Sequence, residues 1–242
     1  MKQKRSSVYR FMLDRPEKGN SLDPDLISRL HESLSQAESE ETYTAFALEA
    51  SGPAFCSGAD VQACSTLMGN PNDLLEFFGN ARAFMRRLSA SRLVTISLVN
   101  GVVAAGGLEL VSACDIVIAS EKSTFSDRHA RYGFVPAFGA TAFLPSKIGY
   151  SAAAFLLLGD GSLSATEAMR VGLVSQIFKD LEFEHESDSF LKNMERLDPT
   201  ALATIKSLMH QRLYIDDAMR AEKSAVKRHQ AQGGYDITKI DF

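Results

Sequence analysis

The chain is predicted to fold as an α/β protein with parallel strands. Three observations carry this expectation. Short apolar runs alternate with amphipathic stretches through the first half, a helix-start signal lies between the first two runs, and Gly-containing turns follow later runs. "VYRFMLD" (8–14) and "TAFALEA" (44–50) read as strands. Between them Leu26, Ile27, Leu30 and Leu34 fall on one helical face, with Asp23 as N-cap and Pro24 at the first helical position. The loop "SGPAFCSGAD" leads to a predicted helix over 73–89, a strand over 93–99, a Gly-rich turn and a strand over 114–119.

Beyond about residue 139 the pattern turns mostly helical. Ser164 and Glu167 form a capping box, Gly172 ends that helix, and a short strand is expected over 173–178. Periodicity predicts helices over 184–197, 199–211 and 215–231, with Pro199 separating the first two. The division expected is a core over 1–180 and a C-terminal helical region over 181–242.

Composition narrows the function. The 242 residues are 45% hydrophobic, enough for a sizeable core, and carry a net charge of −4. No block of five or six like charges marks a nucleic-acid or anionic-membrane partner, so neither is expected. Cys56, Cys64 and Cys114 are odd in number and lack C-x-x-C spacing, which argues against a zinc or redox motif and for a reducing cytoplasm; no metal is expected. No stretch approaches the roughly 18 apolar residues of a membrane span, and "MKQKRSSVYRFMLDRP" lacks the apolar segment of a signal peptide.

Two turns carry the chemistry. "AFCSGAD" (54–60) and "NGVVAAGGLEL" (100–110) each place glycine after an apolar run, leaving backbone N–H groups approachable, and two such turns facing one point make an oxyanion hole. Neither contains the G-x-G-x-x-G of dinucleotide sites or a P-loop. Glu109 follows within an apolar run, beside Leu108, Leu110 and Val111, where a carboxylate is rare unless paired or functional. Cys56 and Cys114 read as small packing residues, and Phe77, Phe78 and Phe84 as core rather than pocket.

"LDRPEKGNSLDPDLISRL", "FCSGAD", "NGVVAAGGLELVSACDIVIAS", "STFS", "YGFVPAFGATAFLPSKIG" and "SATEAMRVGLVSQIF" resemble, in order and spacing, the crotonase (enoyl-CoA hydratase/isomerase) superfamily over about residues 8–180. The resemblance implies a spiral of ββα units with a C-terminal helical trimerisation region, assembled as a trimer or dimer of trimers. It implies a substrate carried as a thioester on CoA or on the phosphopantetheine of an acyl carrier protein, and no other cofactor. The oxyanion donors would be the N–H groups of Ala59 and Gly106. Ser57, Gly58, Asp60, Gly107 and Pro136 would contact substrate, and Glu109 matches the first of two glutamates that hydratases of the family use.

The second glutamate falls at position 129, where the family's F-G-x-P-E reads "FSDRH" and supplies His129. An imidazole still acts as acid or base near neutrality, but a two-carboxylate site is absent. Other segments are similar to the dehydratases and decarboxylases of polyketide β-branching cassettes. The decarboxylases' lysine is missing, since no lysine lies between Val61 and Glu121, while His229 stands about where their C-terminal histidine is expected. The expectation is therefore a lyase that decarboxylates a 3-methylglutaconyl-type thioester on a carrier protein, with Glu109, His129 and His229 handling protons. The alternatives are a hydratase, dehydratase or isomerase of acyl thioesters, and a thioester-binding homologue without catalysis.

Overall fold

The computed structural model describes residues 6–210 and 215–232. Among them are two sheets. The larger is wholly parallel and runs β1 (Val8–Leu13), β2 (Ala45–Ala50), β4 (Val94–Val99), β6 (Ile116–Ser120), β9 (Gln176–Phe178). The smaller runs β3 (Ala54–Cys56), β5 (Val102–Ala104), β7 (Thr124–Ser126), β8 (Ser162–Ser164), parallel except for the β7–β8 pair. Each pass of the chain lays one strand in the large sheet and the next in the small one: β2 then β3, β4 then β5, β6 then β7. The intervening helices return the chain to the start of the next strand, as parallel pairing requires.

The central strands of the large sheet, β2, β4 and β6, are buried on both faces, which explains their near-continuous apolar character. Phe46 and Leu48 of β2 face the main core, whereas Ala45 and Ala47 face a second cluster with Ile96, Leu98 and Ile118. Leu191 and Met194 of α7 (Phe183–Met194) and Leu202 of α8 (Pro199–His210) cover that second face. On the main side pack α1 (Pro24–Ser39) and α3 (Pro71–Ala90). The expected start of α1 is observed, with Asp23 Oδ1 accepting from Leu26 N at 2.8 Å. The capping box of α6 (Ala165–Arg170) is complete, and Gly172 follows it at φ +90°.

Four strands escape the sequence reading. β3, β5, β7 and β8 have three residues each, too few for a period-two signal. The short helix α2 (Val61–Leu67), capped by Asp60, also lies in what reads as a loop. β6 starts at Ile116 rather than 114, because Asp115 turns its carboxylate back to Thr95 N and Oγ1 at 2.8 and 2.9 Å. In the region 181–242, α9 (Ile215–Ala231) folds back onto α5 (Ala140–Leu157), and its Ile215, Met219 and Val226 enter the same core as β2 and α1.

The small sheet positions the site. β3, β5 and β7 are adjacent and parallel, with Cys56 opposite Val103 and Ala104 opposite Ser126. Their C-terminal ends therefore open on one place, the location where parallel sheets gather functional loops. Ala59 follows β3, Gly106 follows β5 and His129 follows β7.

Candidate active site

The two turns singled out in the sequence converge. After β3, Leu22 N donates to Gly58 O at 2.7 Å and Asp60 N to Leu22 O at 2.8 Å, an isolated bridge that leaves the N–H of Ala59 itself unused. Gly58 stands at φ +108°, a conformation side chains rarely adopt. After β5, Ala105 is held at φ +47°, ψ −117°, its N–H donating to Ser126 O at 3.1 Å. This strained residue, at an expected cost of about 1–3 kcal/mol, turns the chain from strand into α4 (Gly106–Ala113). Gly106 opens α4, so its N–H has no acceptor one turn back. A methyl placed on Gly106 would lie 3.2 Å from Ala59 N, which shows how near the two turns come. Gly107 permits the approach: a methyl there would sit 2.2 Å from Cys56 O.

All eight residues of α4 are buried, Glu109 among them. Its Oε1 accepts from Phe138 N at 2.9 Å and Ala140 N at 3.0 Å, at the start of α5. Its Oε2 has no hydrogen-bond partner among the described residues and lies 3.8 Å from His129 Nε2. His129 Nδ1 in turn donates to Asp127 Oδ1 at 2.6 Å, and His129 N to Asp127 Oδ2 at 3.2 Å. Because a carboxylate only accepts, this fixes the Nδ1 proton and leaves Nε2 toward Glu109.

Burial pushes the Glu109 carboxyl above the usual carboxylate range, opposed by the charge of His129 and the two N–H donors. Burial alone would lower His129, but the hydrogen bond to Asp127 and the charges of Asp127, Glu109 and Glu222 raise it on balance. The pair is thus a carboxyl and an imidazole that both hold protons more readily than in water.

These groups line a cavity of about 260 Å³. Ala59, Ala105, Glu109 and His129 border it, and Cys64, Met68, Phe78 and Phe138 give it an apolar wall. Phe138 meets the edges of Phe77 and Phe78 at centroid distances of 5.8 Å. Cys56, Cys64 and Cys114 are buried, which pushes their thiols up to about 12, 12 and 11, in keeping with packing roles.

A sequence profile of enoyl-CoA hydratase/isomerase matches residues 3–233. The chain belongs to the enoyl-CoA hydratase/isomerase family. It is 31% identical over 198 residues to the Probable enoyl-CoA hydratase of Rhodobacter capsulatus, spanning 82% of this chain and 76% of that one. It is 30% identical over 183 residues to the peroxisomal Delta(3,5)-Delta(2,4)-dienoyl-CoA isomerase of Arabidopsis thaliana, spanning 72% and 66% respectively. The crystal structure of enoyl-CoA hydratase from Mycobacterium tuberculosis H37Rv superposes with a TM-score of 0.80 at 27% identity, covering 95% of this chain and 97% of that one. The crotonase-type α/β fold expected from the sequence is the fold found. No helix among the described residues is long and apolar enough to cross a membrane.

Among the site residues expected in this family, the structure brings together Ala59, Gly106, Glu109 and His129, with Ser57 on the cavity rim and Gly58 between the two donors. Three others do not line the cavity. Asp60 caps α2 through Ala63 N at 3.0 Å and pairs with Arg15 at 2.9 Å, Gly107 packs on β3, and Pro136 lies between the cavity residues Val135 and Ala137 without lining it. His229 does not converge on Glu109: its Nε2 donates to Gly133 O at 2.6 Å, fastening α9 to the turn beyond His129.

Two residues went unnoticed in the sequence. Asp127 is buried behind His129, and its signal is the i, i+2 spacing within "SDRH". Glu222 is buried on α9, two helical turns before His229 and on the same face, where Ile215, Met219 and Val226 make it a lone carboxylate in an apolar seam.

A substitution tests the oxyanion assignment. Gly106→Ala would place its methyl between the two donors, 3.0 Å from Phe138 Cε2 and 3.2 Å from Ala59 N. It is expected to lower kcat/KM for crotonyl-CoA by about 10²-fold or more. Steady-state kinetics on protein of unchanged far-UV circular dichroism provide the measurement.

Proposed function

We propose that the chain reversibly hydrates a 2-enoyl thioester, offered as acyl-CoA, through an enolate held by the N–H groups of Ala59 and Gly106. The observation that carries this reading is the unpartnered Oε2 of buried Glu109 facing His129 Nε2 at 3.8 Å beside those donors. That spacing lets one water oxygen contact both groups. Glu109 takes a proton from water as its oxygen bonds to the β-carbon, and the double-bond electrons move through the α-carbon to the thioester oxygen. Protonated His129 then supplies the α-carbon proton as the carbonyl re-forms, and the acquired proton passes from Glu109 to His129 to reset the pair. In the dehydration direction the roles reverse.

The functions named for the relatives, hydratase and dienoyl-CoA isomerase, fit α-proton chemistry. Decarboxylation of a carrier-bound acyl group is supported less well. The histidine invoked for it, His229, is engaged with Gly133 O rather than lining the cavity.

The deciding assay incubates the protein with crotonyl-CoA in deuterium oxide and weighs the product. Addition of one water with one deuterium at the α-carbon is the expected result. Absence of both across a series of acyl lengths would sink the reading, and carbon dioxide release from a 3-methylglutaconyl thioester would replace it with decarboxylation.

Asp127→Asn probes the donor. Without the Asp127 charge, burial lowers His129 toward its neutral form, so the imidazolium is lost at lower pH. The alkaline limb of the kcat profile is expected to move to lower pH, with kcat at neutral pH down by roughly ten- to a hundredfold.

A further inference from the structure

Helix α5 begins between two buried carboxylates. Glu109 accepts from Ala140 N at 3.0 Å, and the next N–H, that of Thr141, goes to Glu222 Oε2 at 3.1 Å, as does the Thr141 hydroxyl. The second oxygen of Glu222 has no hydrogen-bond partner among the described residues and lies 4.0 Å from Arg82 Nε of α3. A carboxylate in the apolar seam of α9 is costly to bury. Simple capping of α5 would not call for it, because Glu109 already serves that terminus.

The charges around Glu222 are uneven. Facing it are Arg82 from α3, Glu109 from α4, Thr141 from α5 and, beyond Glu109, His129 with Asp127 after β7. Its helical neighbours Met219 and Val226 are apolar, and Lys223 points to solvent. Among the described residues, these three carboxylates face Arg82 and the titratable His129, while Arg128, which borders the same cavity, is paired with Asp160 at 3.3 Å. Such a cluster favours holding a proton on the imidazole.

We propose that Glu222 is a positioning residue for the proton transfer, acting through Glu109 and the α5 terminus to keep His129 protonated as the donor. The proposal rests on the reading of Glu109 and His129 as the proton-transfer pair. The directions of the shifts agree: the charge of Glu222 raises His129, and burial together with the charge of Glu109 pushes Glu222 up to about 7. Gln at position 222 would keep an acceptor for Thr141 N–H while removing the charge, which separates electrostatic positioning from mere scaffolding.

The test reads His129 directly. The five histidines are labelled with 15N and 13C, and the His129 ring signals, assigned by their loss in His129→Gln, are titrated by NMR in the full chain. In Glu222→Gln the His129 midpoint is expected to fall by about half to one pH unit, and the alkaline limb of kcat to move down with it. KM for crotonyl-CoA is expected to stay within about twofold, as the contacts to Thr141 survive. Arg82→Gln removes the cation and is expected to raise the midpoint, an opposite shift that a structural role does not produce. Superimposable His129 titrations in wild type and Glu222→Gln overturn the proposal. If that variant does not fold, superimposable titrations in wild type and Arg82→Gln do so. Because NMR needs no turnover, a shifted midpoint without hydration of any thioester would leave this inference standing while removing the hydratase reading.

Discussion

Glu109→Gln is expected to lower kcat for crotonyl-CoA hydration by about 10²–10⁴-fold, the range associated with loss of a general base. The amide oxygen can keep the N–H donors of Phe138 and Ala140, so the cavity wall and the start of α5 stay in place. What changes is the position of Oε2, where an NH₂ group that cannot take a proton would face His129. A matched effect on stability is expected with the opposite sign. Because burial raises Glu109 above its ordinary range, the folded state binds its proton more tightly than the unfolded chain does. Its contribution to stability is therefore fullest at pH below the unfolded value and is lost as pH rises through the folded one. The wild type should lose more Tm between pH 5 and pH 8 than Glu109→Gln, and a calorimetric series at those two pH values checks it. A variant that is inactive yet steadier at pH 8 separates the chemical role of Glu109 from its structural one. An inactive variant with a lower Tm at pH 8 would mean that the carboxylate is there to hold α5.

Gly107→Ala is expected to have a large effect on stability. Its methyl would lie 2.2 Å from Cys56 O and 2.9 Å from Cys56 C, both backbone atoms, so no rotamer change relieves the clash. Overpacking relieved only by moving a helix off a strand is expected to cost about 3 kcal/mol, or roughly 6–12 °C in Tm for a chain of this size. Since Gly107 lies between the Gly106 donor and Glu109, the same shift should separate the two N–H groups and abolish measurable hydration. Gly79→Ala serves as the control: it lies inside α3 with nothing within 4 Å of the added methyl, and is expected to stabilise by about 1 kcal/mol.

The parts of the fold that could be read from the sequence are those whose signals are local. The central large-sheet strands β2, β4 and β6 are apolar runs of five or six residues, and α1 and α6 announce themselves through Asp23–Pro24 and the Ser164–Glu167 box. The small sheet stayed hidden, because a strand such as Val102–Ala104 owes its existence to its neighbours in space. The site divides in the same way. The two glycine turns and Glu109 were legible because backbone turns and a carboxylate in an apolar run are visible in one dimension, whereas the choice of Ala59 and Gly106 within those turns rests on the family resemblance. His129 was legible only as a departure from a family pattern, and its function depends on Asp127, whose burial no local rule announces. His229 illustrates the limit of register: the α9 carboxylate that reaches the start of α5, beside Glu109, lies two turns earlier on the same helix face, at Glu222.

The fastening of α9 by His229 and Glu222 has a consequence for how the protein matures. Ala59, Gly106, Glu109 and the Asp127–His129 pair are all encoded before residue 130, yet the segment that holds Glu109 is tied down by residues more than 80 positions later. A nascent chain would carry its reacting groups well before the helix that steadies them. Catalysis should then begin only when residues 215–231 have cleared the ribosome and docked, which makes the late-synthesised helix a checkpoint on an active site drawn mostly from the first half of the sequence.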